Sequence, residues 1–129
     1  MKKNKIVDFI ILGGGCSGLS FLNQIIEKKI KSYSFIVIEK KKKYHDDKSW
    51  GFWEKNNKKF VTMTEKNWDS FSFNFKGKTN FLKSRNYKYY YIRSIKFYKS
   101  IIDKISKSSN VSLKLGENTK EIIKYKNYY

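Results

Sequence analysis

Residues 6–18 read Ile-Val-Asp-Phe-Ile-Ile-Leu-Gly-Gly-Gly-Cys-Ser-Gly, and residues 35–39 read Phe-Ile-Val-Ile-Glu. The apolar run up to Leu12 predicts a parallel strand buried on both faces, because alternation is lost when both faces are covered. Gly13, Gly15 and Gly18 fit G-x-G-x-x-G. In that pattern the first glycine makes a tight turn, the second lets backbone approach a pyrophosphate, and the third lets helix pack on strand. Cys16 and Ser17 open the predicted helix, where unpaired N–H groups and the positive end of the dipole favour an anion. Leu19, Leu22, Ile25, Ile26 and Ile30 then keep helical spacing, with one face toward a sheet. Tyr33 to Ile38 predicts the second strand. Glu39 at its carboxyl end, about 20 residues past the last glycine, is placed to accept hydrogen bonds from an adenosine ribose. The order strand, turn, helix, strand, acid makes a weak motif specific. The cofactor-binding set is Gly13, Gly14, Gly15, Cys16, Ser17, Gly18, Glu39 and Lys40. The competing reading is a βαβ unit with a glycine turn and no ligand.

The 129 residues are one domain by length, and 40% hydrophobic content suffices for a core. Lys plus Arg number 29 against 11 Asp plus Glu, a net charge of +18. That balance points to nucleic acid or an anionic surface, yet the only arginines are Arg85 and Arg93, and phosphate and base readers lean on the bidentate guanidinium. Solvated lysines are the favoured reading, and no nucleic-acid partner is expected. A single cysteine, Cys16, excludes an internal disulfide, and no His/Cys cluster has zinc spacing. Cytoplasmic residence without a metal is therefore expected, and the first apolar run, with Asp8 inside it, is too short to span a membrane.

After Glu39, Lys40 to Lys48 form a charged loop whose His45 has no partner at catalytic spacing. Ser49-Trp50-Gly51-Phe52-Trp53 is either an anchor that packs this loop or a flat wall beside a cofactor ring or apolar ligand; periodicity favours the anchor. Strands are predicted at Phe60–Thr64, Phe71–Phe75, Thr79–Leu82 and Tyr87–Ile92, with a turn at Lys76-Gly77-Lys78 and Phe71, Phe73 and Phe75 on a covered face. Ile95, Tyr98, Ile101, Ile102 and Ile105 mark a helix with Ser94 as its N-cap. Val111 to Leu115 is a further strand, and Glu117 to Tyr125 is expected to start another.

At Asp8 to Gly18, Glu39 and Asp47-Lys-Ser-Trp-Gly-Phe-Trp53, the chain resembles the lycopene cyclase family of flavoproteins, specifically its bacterial β-cyclase branch. The resemblance implies an α/β fold: a Rossmann-like FAD-binding βαβ domain with a small inserted antiparallel sheet. The expected parts are a dinucleotide unit over 1–45, an aromatic loop and small sheet over 46–92, and a helix and strand over 93–129 that return to the first sheet. It implies FAD on the glycine turn, needed in reduced form and supplied with reducing equivalents by NAD(P)H. The implied reaction cyclises the ends of lycopene, without net redox change, in carotenoid biosynthesis. Trp50, Phe52 and Trp53 would lie toward the flavin or substrate side, with Arg93 near the cofactor. Family members are several hundred residues long, so this chain is expected to be an incomplete, N-terminal part with its catalytic acid beyond residue 129. Peripheral membrane association is expected for a protein acting on a polyene. The alternatives are another FAD-dependent oxidoreductase or monooxygenase of the glutathione-reductase type, and a cofactor-free basic protein that binds anionic surfaces.

Overall fold

The computed structural model describes residues 6–55 and 63–124 as a mixed α/β protein of eight strands and two helices among the described residues. It divides into two compact units, 1–44 with 101–129, and 45–100. Each is built on its own sheets.

In the first unit, β1 (Phe9–Leu12), β2 (Phe35–Glu39) and β8 (Val111–Leu115) form a parallel sheet in the order β1-β2-β8. The helix α1 (Cys16–Glu27) crosses from β1 to β2. Asp8 ties the two strand starts together. Its Oδ2 accepts from the Ser34 N–H at 2.7 Å and the Ser34 hydroxyl at 2.6 Å, and these bonds hold its carboxyl below the usual range. The acid inside the apolar run is thus a register pin. Leu19, Leu22 and Ile25 are buried as the spacing predicts. The helix stops at Glu27 because Lys29 turns left-handed, φ 53°, and the Ile30 N–H reaches back to the Ile25 carbonyl at 3.1 Å. Ile30 therefore lies beyond the helix.

Strand β1 departs from expectation. Phe35, Ile36 and Val37 of the central strand are buried, but Phe9, Ile10 and Leu12 are about half exposed. The reason is position: β1 is the edge of the sheet, paired with β2 alone. Ile11 points at α1, its Cγ2 lying 3.2 Å from where a Cβ on Gly18 would stand. Alternation then puts Ile10 and Leu12 on the opposite face. An apolar run reports what a strand would bury if both faces were covered; it does not report whether they are.

In the second unit, β3 (Ser49–Lys55), β7 (Tyr87–Arg93) and β4 (Lys66–Trp68) pair antiparallel in the order β3-β7-β4. The aromatic stretch expected as a loop anchor is itself a strand. Alternation along β3 places Trp50 and Phe52 on one face and Gly51 and Trp53 on the other. The predicted strand at Phe60–Thr64 falls mostly outside the described residues; Met63 sits in a turn, and the described strand starts at Lys66. The remaining strands, β5 (Ser70–Phe75) and β6 (Lys78–Lys83), form a two-stranded hairpin. Its turn at Lys76 and Gly77 has φ of 47° and 75°, the left-handed pair a tight hairpin needs. The face expected to be covered is open, with Phe73 60% and Phe75 71% exposed.

The helix α2 (Ser94–Ser106) buries Phe97, Tyr98, Ile101 and Ile105 on one face, and the boundary between the units falls within it. Ser94 is its first helical residue, not a side-chain cap. The Ser94 hydroxyl accepts from the Lys48 N–H at 3.1 Å and donates to the His45 carbonyl at 3.2 Å. Asp46 serves the first turn in its place, accepting from the Ile95 N–H at 3.4 Å. After β8 the chain turns at Gly116, φ 74°, and residues 117–124 form no strand, contrary to expectation.

Candidate functional site

The glycine turn lies between β1 and α1, at the carboxyl end of the parallel sheet, where open sheets of this kind take their ligands. Its glycines differ in what they permit. Gly13 has φ 100°, a conformation side chains strain to adopt. A Cβ on Gly18 would stand 2.2 Å from the Gly13 carbonyl oxygen, so only glycine lets α1 approach the turn this closely. A Cβ on Gly15 would meet nothing within 4 Å. Gly15 therefore has no packing reason to be glycine; its bare backbone faces open space. It is also the N-cap of α1. No side chain among the described residues caps that end, and no acid lies in the first turn. The N–H groups around Cys16 and Ser17 stay available to an anion.

Gly14 has a role that the motif leaves undefined. Its N–H donates to Glu39 Oε2 at 2.7 Å, and its carbonyl accepts from the Tyr44 hydroxyl at 2.7 Å. A Cβ there would stand 2.2 Å from that hydroxyl and 3.1 Å from the Glu39 Cβ. The other carboxylate oxygen of Glu39 accepts from the Lys41 N–H at 2.8 Å. Glu39, only 6% exposed, thus braces the turn and the loop that leaves β2. Tyr44 was not legible as a site residue, since in the sequence it follows a lysine run with no spacing that ties it to the glycines. Beside this brace lies a cavity of about 190 Å³, lined by Leu12, Gly13, Ile38, Glu39, Lys40 and residues 117–119. The structure thus brings Gly13, Glu39 and Lys40 together around this opening, with Gly14 bound to Glu39, whereas Gly15, Cys16, Ser17 and Gly18 do not line it.

Trp50, Phe52, Trp53 and Arg93 belong to the second unit. Trp50 packs edge-on against Phe97 at 5.2 Å and Tyr98 at 5.8 Å, and Phe52 stacks on Tyr90 at 5.6 Å. These two act as the anchor that periodicity favoured. Trp53 is different: with Trp68, Ser70, Phe71 and Tyr89 it lines an open cleft of about 400 Å³. Gly51 makes this arrangement possible, because a Cβ there would fall 1.9 Å from the Tyr89 hydroxyl. Lysine-rich as the chain is, no charged side chain among the described residues lines this cleft. Arg93 forms an ion pair with Asp46. That hydrogen bond, aided by the Ile95 N–H, keeps the Asp46 carboxyl ionised and so unsuited to donating a proton.

The first unit is an α/β unit with a glycine turn, a braced acid and a small cavity at the carboxyl ends of parallel strands. The chain belongs to the lycopene cyclase family: the family model described as "Lycopene cyclase protein" matches residues 8–120, which take in every strand and helix described. No curated protein matches the chain. Among the described residues no helix is long and apolar enough to cross a membrane, and no cluster of His, Cys, Asp or Glu has the makings of a metal site.

Proposed function

We propose that this chain carries the FAD-binding part of a carotenoid cyclase, one that closes the ends of lycopene in an acid-initiated reaction without net redox change. The observation that carries the reading is Gly15, whose bare backbone faces open space beside an uncapped helix start in a chain of this family. The residues present fit the cofactor. In a Rossmann-like arrangement, Gly13, Gly15 and the N–H groups of Cys16 and Ser17 would hold the pyrophosphate. A carboxylate offers about four acceptor positions; on Glu39 the Gly14 and Lys41 amides take two, leaving two for ribose hydroxyls. The 190 Å³ cavity is smaller than the roughly 300–1,000 Å³ of a pocket that holds a whole small-molecule ligand, so it suits the adenosine end alone. Bound and kept reduced by a nicotinamide cofactor, the flavin would supply the reduced ring that the cyclisation requires. The uncharged wall of Trp53, Trp68 and Tyr89 suits a flat apolar group such as a polyene. A substrate dissolved in lipid also implies a protein that meets membranes peripherally.

Titration with FAD, read by quenching of flavin fluorescence, tests the cofactor. Gly15 has φ −78° and ψ −168°, an extended conformation that valine adopts freely. Gly15→Val is expected to lower FAD affinity at least tenfold while leaving the melting temperature unchanged. Equal affinity in the variant would remove the turn from the phosphate site, and no binding by the unaltered chain would sink the flavin reading. Reductant and lycopene in liposomes, with chromatography for ring-closed product, test the reaction separately.

A further inference from the structure

We propose that the β5–β6 hairpin is a membrane-docking element that inserts its phenylalanines into the interface of an anionic bilayer. Between Ser70 and Lys83 the chain carries Phe71, Phe73, Phe75 and Phe81, three lysines, and no acid. The register puts Phe71 opposite Leu82, Phe73 opposite Asn80 and Phe75 opposite Lys78, so these share one face; Phe81 lies opposite Ser72 on the other. Phe73, Phe75 and Phe81 are 60%, 71% and 83% exposed, and Leu82 48%. Phe71 packs against Trp53 at 5.1 Å, but the rings beyond it have a reason other than packing, because a two-stranded sheet gains little from rings it leaves in water.

What covers them follows from the charge around them. Lys76 and Lys78 flank the turn, and the Lys76 ammonium sits 5.4 Å from the Phe75 ring centre. Lys83 is at the far end of β6, partnered by Asp69. Exposed rings along the hairpin with ammonium groups at its turn match the boundary of an anionic bilayer, where acyl chains take the rings and the flexible lysine stems reach back to the headgroups. A second copy of this hairpin would bring like charges together at the same tip. Phe75 lies in the first pair from the turn, Phe73 in the third and Phe81, on the other face, in the fourth, so the hairpin would enter the surface obliquely and not by its turn alone. The proposal stands on the hairpin alone, and FAD titration reports separately on the cofactor reading.

The test is sedimentation of the 129-residue chain with vesicles of phosphatidylcholine alone and of phosphatidylcholine with phosphatidylglycerol. Binding is expected to the anionic vesicles. Phe73→Ser with Phe75→Ser and Phe81→Ser leaves the net charge unchanged, so a tenfold or greater loss of binding would come from the rings. Lys76→Ala with Lys78→Ala should weaken binding by roughly 25-fold, about fivefold for each lysine near the surface. Should the triple variant fold poorly, Phe81→Ser alone, at the most exposed ring, should still lower binding measurably. A tryptophan placed by Phe75→Trp should add fluorescence that lipids brominated at the upper acyl chain quench. Three results would overturn the proposal: no binding to anionic vesicles, binding that the phenylalanine variants leave intact, or a dimer in solution that they dissociate.

Discussion

Of three adjacent glycines, Gly13 and Gly14 are held to glycine by different structural constraints and Gly15 by none. Gly13 needs a left-handed φ, Gly14 is hemmed in by Tyr44 and Glu39, and Gly15 faces open space. Glu39 is the residue whose role changes most between sequence and structure. Its spacing suggests a ribose acceptor and nothing more, whereas its carboxylate also takes the Gly14 and Lys41 amides. Glu39→Ala should therefore destabilise the fold by about 1–3 kcal/mol, the cost of leaving buried donors unmade, as well as weaken FAD binding. Denaturant melts that overlay the unaltered protein would show that the brace does not matter. Asp46 sets an acid limit. Its folded carboxyl is held below the ordinary 3.8, first by the Arg93 hydrogen bond, so its contribution is complete above that value and disappears as pH falls through the folded one. Helix content followed by circular dichroism below about pH 4 should drop earlier in Asp46→Asn than in the parent. Coincident acid transitions would dissociate Asp46 from the start of α2.

At the level of elements, periodicity read the helices well and the sheets less well. The face Leu19, Leu22, Ile25 and the face Tyr98, Ile101, Ile105 are buried as predicted, because helical spacing records which side must leave water. Ile101→Ala, at a fully buried position, should lower stability by about 2–5 kcal/mol in denaturant unfolding. A smaller loss than 1 kcal/mol would mean that the site collapses around the gap. The α1 stop was not legible, since Lys29 occupies a left-handed position where glycine is usual; Lys29→Gly should stabilise the fold slightly, by up to about 1 kcal/mol, seen as a raised melting temperature. Strands were harder because period 2 identifies a face without saying what lies against it. Phe71, Phe73 and Phe75 alternate as a half-buried strand should, yet the hairpin leaves that face open. Leu12 and Ile10 fail the same way at a sheet edge. Trp50 and Phe52 were legible as an anchor, but the cleft around Trp53 was not, because Trp68, Phe71 and Tyr89 come from three other strands.

For the molecule as a whole, the division into units does not follow chain order. Residues 45–100 form one continuous stretch, while the other unit is assembled from both ends of the sequence. Its central strand β2 pairs with β8, as Phe35 with Val111, and β8 is synthesised only after the entire second unit. Closing so long a loop costs chain entropy before any contact rewards it. The second unit, whose β3 and β7 need nothing outside 45–100, can therefore acquire its structure first, and doing so shortens the effective distance between β2 and β8. Folding should be ordered in time. In refolding followed by pulsed hydrogen exchange, amides of β7 should gain protection before those of β2; the reverse order would mean that the parallel sheet nucleates the fold. On a ribosome, the same asymmetry would hold the nascent glycine turn beside a β2 that lacks its β8 partner until residues 111–115 emerge.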